Sequence, residues 1–349
     1  MRPLVRGILK GSLQQIQHIA AVRPADADGL LAEVYGQARR ELGVVAPPLA
    51  LHSPAPEALA ASWTLLRETL LVEGLVGRAA KEAVATGVSQ ANECSYCVEV
   101  HQAKLQTLTD TDADTEAHRA LCDWARASAN VAAGQSTLPA TAAEAPEIYG
   151  VAVTFHYLNR MVRLFLPDSP VPDAAPRAGR GPVMRMVARA MRPDAGTTVT
   201  PGASLDLLPT APLPRSLAWA EGNTHVAGAL ARSIAALDAR AESWIPEPVR
   251  DRLHAELSVH DGVAPGPSRV WLDVALEGLI DEQRPAARLA LLIALAPYQV
   301  TDADIEAFRA EHAGDRELIE LASWAALTAA VGIGARFPVP GLPTARAAR

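Results

Sequence analysis

Residues 89–105 read SQANECSYCVEVHQAKL, and their spacing decides how the rest of the chain is read. Two of the three cysteines, Cys94 and Cys97, stand here, with His101 four residues after Cys97. On a helix, positions three and four apart share a face. Cys97 then lies one turn after Cys94, and His101 one turn after Cys97, in a single column. Ser89 and Asn92 are residue types that cap helix N-termini. Cys94 would fall in the first turn, where unpaired backbone N–H groups favour a thiolate. A neutral His beside Cys97 can take its proton. The pattern predicts a redox-active dithiol with its own base.

Working outward, residues 78–105 read RAAKEAVATGVSQANECSYCVEVHQAKL, and Glu82 stands twelve residues before Cys94. This stretch resembles the active-site segment of the AhpD-like alkylhydroperoxidase / carboxymuconolactone decarboxylase superfamily. Its peroxidase branch carries a Glu on the preceding helix, then Cys-x-x-Cys, then His. The resemblance implies an all-α helical bundle, assembly as a homo-oligomer (dimer or trimer) and thiol-dependent reduction of hydroperoxides without a cofactor. By resemblance, Cys97 is the attacking thiol and Cys94 the resolving one. His101 deprotonates Cys97, and Glu82 orients it or relays through water. A lipoyl or thioredoxin-like protein would regenerate the dithiol. Helix position alone argues the other order, since Cys94 is nearer the N-terminus. The peroxidase prototype also has a His next to the second cysteine, where this chain has Tyr96.

The composition agrees with a helical enzyme. The 349 residues are 49% hydrophobic and rich in alanine, which suits helices, while aromatics are only 4%. A net charge of -7 argues against nucleic acid as a partner. Three cysteines make no disulfide scaffold and fit a reducing cytoplasm. The N-terminus lacks a continuous apolar signal region, and no membrane partner is expected. Residues 318–337 come nearest to a membrane span, yet Glu320 sits inside them, which marks a buried core helix.

Five segments follow. Residues 1–25 carry an N-terminal amphipathic helix, with Leu4, Ile8, Leu13, Ile16 and Ile19 near helical spacing. It would pack on the body of the fold or on a neighbouring subunit. Residues 26–166 form the AhpD-like domain, with helices predicted over 26–43, 56–73, 78–87, about 94–108, 110–133 and 143–166. Residues 167–214 are a Pro/Gly/Arg-rich linker around the short helix VMRMVARAM, either a lid or oligomer clasp over the site or a surface connection. Residues 215–337 are a second helical half. TDADTEAHRA at 111–120 recurs there as TDADIEAFRA at 301–310. Aligning the two puts Arg284, Ala287 and Leu291 where the first half has Cys94, Cys97 and His101. The second half therefore reads as a degenerate copy. Residues 338–349 are expected to be a disordered tail.

Trp63, Tyr96, His156 and Asn159 are the candidates for lining the substrate pocket. Against the dithiol stand three other readings. Cys94, Cys97, His101 and Glu82 could offer zinc an S₂NO ligand set. A decarboxylase or isomerase of the carboxymuconolactone type would act on a small organic acid by acid–base chemistry, with Tyr96 or His156 as the acid. An inert cysteine pair in a helical scaffold is the last.

Overall fold

The computed structural model describes residues 13–109, 115–130, 137–171, 177–192 and 196–340. Among them there are helices and turns but no strand. The α-helices longer than a single turn are α1 (Gly29–Glu41), α2 (Pro56–Leu66), α3 (Arg78–Ala91), α4 (Ser95–Leu108) and α5 (Thr115–Ala127). Then come α6 (Ala145–Phe165), α7 (Arg177–Ala190), α8 (Thr224–Trp244), α9 (Glu247–Val259) and α10 (Val270–Ala275). Last are α11 (Arg284–Leu295), α12 (Asp302–Glu311) and α13 (Asp315–Gly334).

The bundle is built around α6, where every residue except Arg160 and Arg163 is buried. A helix apolar on all sides is a core helix. It lies against α3 and α13, while α2 packs on α8. One hydrophobic core runs from Leu31 to Phe337, so residues 26–166 and 215–337 share a single interior. By length and composition α13 could cross a membrane, but 78% of its most apolar window is buried within the fold.

Buried charges set how α3 sits. Lys81 pairs with Glu147 of α6 at 2.8 Å and donates to Val72 O. The next residue, Glu82, is tied to α4. Helix α3 is thus fixed on two sides. It also lies unusually close to α5: a Cβ on Gly87 would stand 2.2 Å from the Cys122 carbonyl oxygen. Gly87→Ala is expected to push these helices apart at a cost of about 1–3 kcal/mol. A thermal melt followed by circular dichroism would show a lower midpoint; an unchanged one would mean that the contact is slack.

Two sequence expectations change here. Residues 13–21 are not a continuous helix: Leu13–Gln15 is a single 3-10 turn, and His18 takes φ +65. The segment then straps across the bundle. Gln17 N donates to Phe165 O, Ala20 N to Asp315 Oδ2 and Val22 N to Ser53 Oγ. These long-range acceptors replace the intrahelical ones. Residues 1–12 and the tail residues 341–349 lie outside the described residues. Helix α5 ends at Ala127, and the acidic start expected at 110–114 is outside the described residues too. Within residues 167–214 the chain is pinned to the bundle. Gly202 N and the Ser204 hydroxyl both donate to the buried Glu68 carboxylate, at 2.7 Å each.

Candidate active site

The dithiol is made where α3 gives way to α4. Ser89 and Ala91 still belong to α3, and the Ser89 hydroxyl donates to Ala85 O at 2.7 Å. Asn92 closes α3, and Glu93 takes φ +50, a left-handed setting uncommon for a residue with a side chain. The chain turns there, so Cys94 becomes the N-cap of α4. The expected caps, Ser89 and Asn92, are kept by α3. Cys94 therefore stands just outside the first turn, and Cys97 and His101 follow on the helix.

The two free, buried sulfurs are 2.7 Å apart. His101 Nδ1 lies 2.7 Å from Glu82 Oε2, and Arg78 Nε donates to Glu82 Oε1 at 2.7 Å. Burial alone would raise the Glu82 carboxyl, but Arg78 and His101 outweigh it and bring it down to about 2. An ionised Glu82 holds the His101 proton on Nδ1, so a neutral ring keeps its lone pair on Nε2. The ring is held edge-on to Phe155, with centroids 4.5 Å apart. Burial and the adjacent Cys94 push the Cys97 thiol well above its ordinary value. A hydrogen bond from Asn159 and the charge of Arg163 pull the other way. Cys97 rests as a thiol and needs a base.

Cys97, Tyr96, His101 and Glu82 line a cavity of about 70 Å³, room for a few water molecules at ~10–15 Å³ each. Leu66, Leu70, Phe155 and Leu158 make most of its wall apolar. Cys94 is not in the lining. Helix α7 closes one side with Met184, Val187 and Ala188, joined by Met191 just after its end. Lys104 of α4 fastens it there, donating to Ala188 O at 3.1 Å and Met191 O at 2.5 Å. These carbonyls belong to the end of α7, where a cation is favoured. Burial, with Arg78 nearby, lowers the Lys104 ammonium to about 8.

A curated alkyl hydroperoxide reductase of Mycobacterium tuberculosis (strain H37Rv) is 36% identical to this chain over 336 residues. The match covers 91% of this chain and 94% of the relative. The chain belongs to the AhpD-like alkylhydroperoxidase superfamily. No protein-family model matches it.

Of the residues expected in this AhpD-like site, Cys94, Cys97, His101, Glu82 and Tyr96 come together. Trp63 does not. It is fully buried on α2 and donates Nε1 to Gln37 Oε1 at 2.8 Å, a partner that holds its indole in the core. His156 and Asn159 lie behind the dithiol instead of over the cavity. Asn159 accepts from Asn92 at 3.0 Å and donates to Ser89 at 3.1 Å. His156 sits between Asn92 and Ser128, at 3.2 and 2.9 Å. Cys122 is half-buried, with Sγ 3.7 Å from Gln90 Oε1.

Burial, with the two cysteines beside it, raises the Tyr96 hydroxyl far above its ordinary value, and burial with Arg160 lowers His156. Of these two candidate acids, Tyr96 lines the cavity and His156 does not. Among the described residues no three His, Cys, Asp or Glu side chains converge as metal ligands. Glu82 and His101 face each other rather than a common ion. Arg78 was missed as a functional residue, although its i, i+4 spacing to Glu82 is visible in the sequence.

Proposed function

We propose that this AhpD-like protein reduces alkyl hydroperoxides through the Cys94–Cys97 dithiol. The observation that carries the reading is the 2.7 Å sulfur pair with Cys97 alone on the cavity. His101, held by Glu82, takes the Cys97 proton. The thiolate attacks the terminal peroxide oxygen; the O–O bond breaks, the alcohol leaves, and Cys97 becomes a sulfenic acid. Cys94 attacks that sulfur, water leaves, and a disulfide forms. A protein dithiol of the lipoyl or thioredoxin type then returns two electrons and two protons. The apolar wall favours a small alkyl hydroperoxide over hydrogen peroxide. The remaining parts of the proposal are a cytoplasmic setting, homo-oligomeric assembly and descent of residues 215–337 from a copy of the first half. Ala287 and Leu291 of α11 are buried apolar positions, as a copy without the chemistry would have.

The test is the mass of the intact chain, thiol-alkylated before and after one equivalent of tert-butyl hydroperoxide. Alkylation is expected to fall from three sites to one, with Cys122 still labelled and Cys94 and Cys97 joined. Three labelled sites after peroxide would overturn the reading.

A further inference from the structure

A second and larger cavity, about 450 Å³, opens on the other side of the dithiol turn. Asn92 and Glu93, the end of α6, the loop after α9 and the end of α13 meet there. Arg160, Arg163 and Arg336 line it together with His260 and Tyr298. Each arginine hydrogen-bonds to backbone carbonyls. Arg160 donates to Ala294 O at 2.9 Å and His156 O at 2.6 Å. Arg163 donates to Glu93 O, and Arg336 to Ala129 O at 2.8 Å and His260 O at 3.4 Å.

Among the described residues no carboxylate forms an ion pair with any of the three. Glu93 is the one acidic residue in the described lining, and it is exposed. Asp261 acts on Arg336 only through space. Arg163 Nε is buried with no hydrogen-bond partner at all. Burial lowers the Arg160 guanidinium to about 10, so this charge is held at a cost. Arg160 and Arg163 are half-buried and Arg336 is exposed at the rim, and like charges gathered around one concave space repel one another unless an anion sits between them. The wall is also built to a close fit. Gly262 has φ +85, and a Cβ there would meet Ala129 O at 1.8 Å.

We propose that this cavity binds a small multivalent oxyanion carrying phosphoryl or carboxylate groups, gripped by Arg160, Arg163 and Arg336. The guanidinium fork matches both groups in two-point geometry. Three such forks around one space select a molecule with at least two anionic groups. The site is separate from the peroxide cavity, although the Arg163 charge also reaches the Cys97 thiol.

Titration calorimetry on the full chain tests it, with pyrophosphate in one arm and citrate in the other, each at constant ionic strength. The expected result is saturable binding of one anion per chain in at least one arm, and the tighter arm identifies the chemical class. Arg163→Gln and Arg336→Gln should each weaken it about tenfold or more. Arg39→Gln, on the exposed face of α1, should leave it unchanged. If Arg163→Gln fails to fold, the exposed Arg336 carries the test. Absence of saturable binding in both arms, or equal weakening by Arg39→Gln, overturns the proposal. Neither result bears on peroxide reduction.

Discussion

Cys97→Ser is expected to lower peroxide turnover by about 10³-fold or more, as removal of a nucleophile does. After treatment with hydroperoxide, both remaining cysteines of this variant should still alkylate. The partner variant separates the two sulfurs. In Cys94→Ser the first step should survive, and oxidation should stop at a single added oxygen on Cys97. The structural basis is that Cys97 lines the cavity and Cys94 does not. If the added oxygen appears instead on Cys94 of the Cys97→Ser variant, the order is reversed. Because burial and Cys94 hold the Cys97 thiol up, its thiolate fraction grows with pH. Single-turnover rates of the wild type should therefore climb from neutral into alkaline solution.

Glu82→Gln carries the second large effect, and it reads out twice. Turnover should drop about 10²–10⁴-fold, because the amide no longer fixes the His101 proton on Nδ1. Stability should fall too, since Arg78 loses its buried counter-charge. The folded carboxyl titrates at about 2 against an ordinary 4.5. The unfolded chain therefore takes up the proton first as pH falls. The stabilisation is fully present above about 4.5 and is lost as pH falls through about 2. The difference corresponds to about 3 kcal/mol. Melts of wild type and variant should differ widely at pH 7 and much less at pH 3. Equal gaps at both values would mean that Glu82 does not supply this term.

The helices and the quartet proposed for catalysis were legible because both rest on spacing in the sequence. Cys97 and His101 share a helix face whatever surrounds them, and Glu82 sits at the family's distance. What escaped the sequence depends on partners far along the chain. Trp63 looks like any aromatic free to line a pocket until Gln37 takes its N–H. His156 and Asn159 do share a face of α6, but Asn92 and Ser128 draw that face behind the sulfurs. The position of Cys94 turned on a single backbone angle at Glu93. Arg160, Arg163 and Arg336 meet only because α6 and α13 pack side by side. Composition alone does not decide between a lid or oligomer clasp and a surface connection for the linker helix; the carbonyls that Lys104 binds hold it against the proposed peroxide cavity.

That helix divides the proposed cycle by the size of the reactant. A small hydroperoxide fits the space under α7, whereas a protein dithiol has to bring its own sulfur into bonding distance of a buried pair. On the proposed cycle α7 lifts once per turnover, and the two hydrogen bonds of Lys104 are the ones broken. Oxidation needs no such movement. On that proposal the two half-reactions differ in what they require: peroxide capture needs only the closed cavity, and reduction needs the cover opened by the partner. Such a protein stores a single oxidising event in each chain until the cell supplies the electrons to clear it.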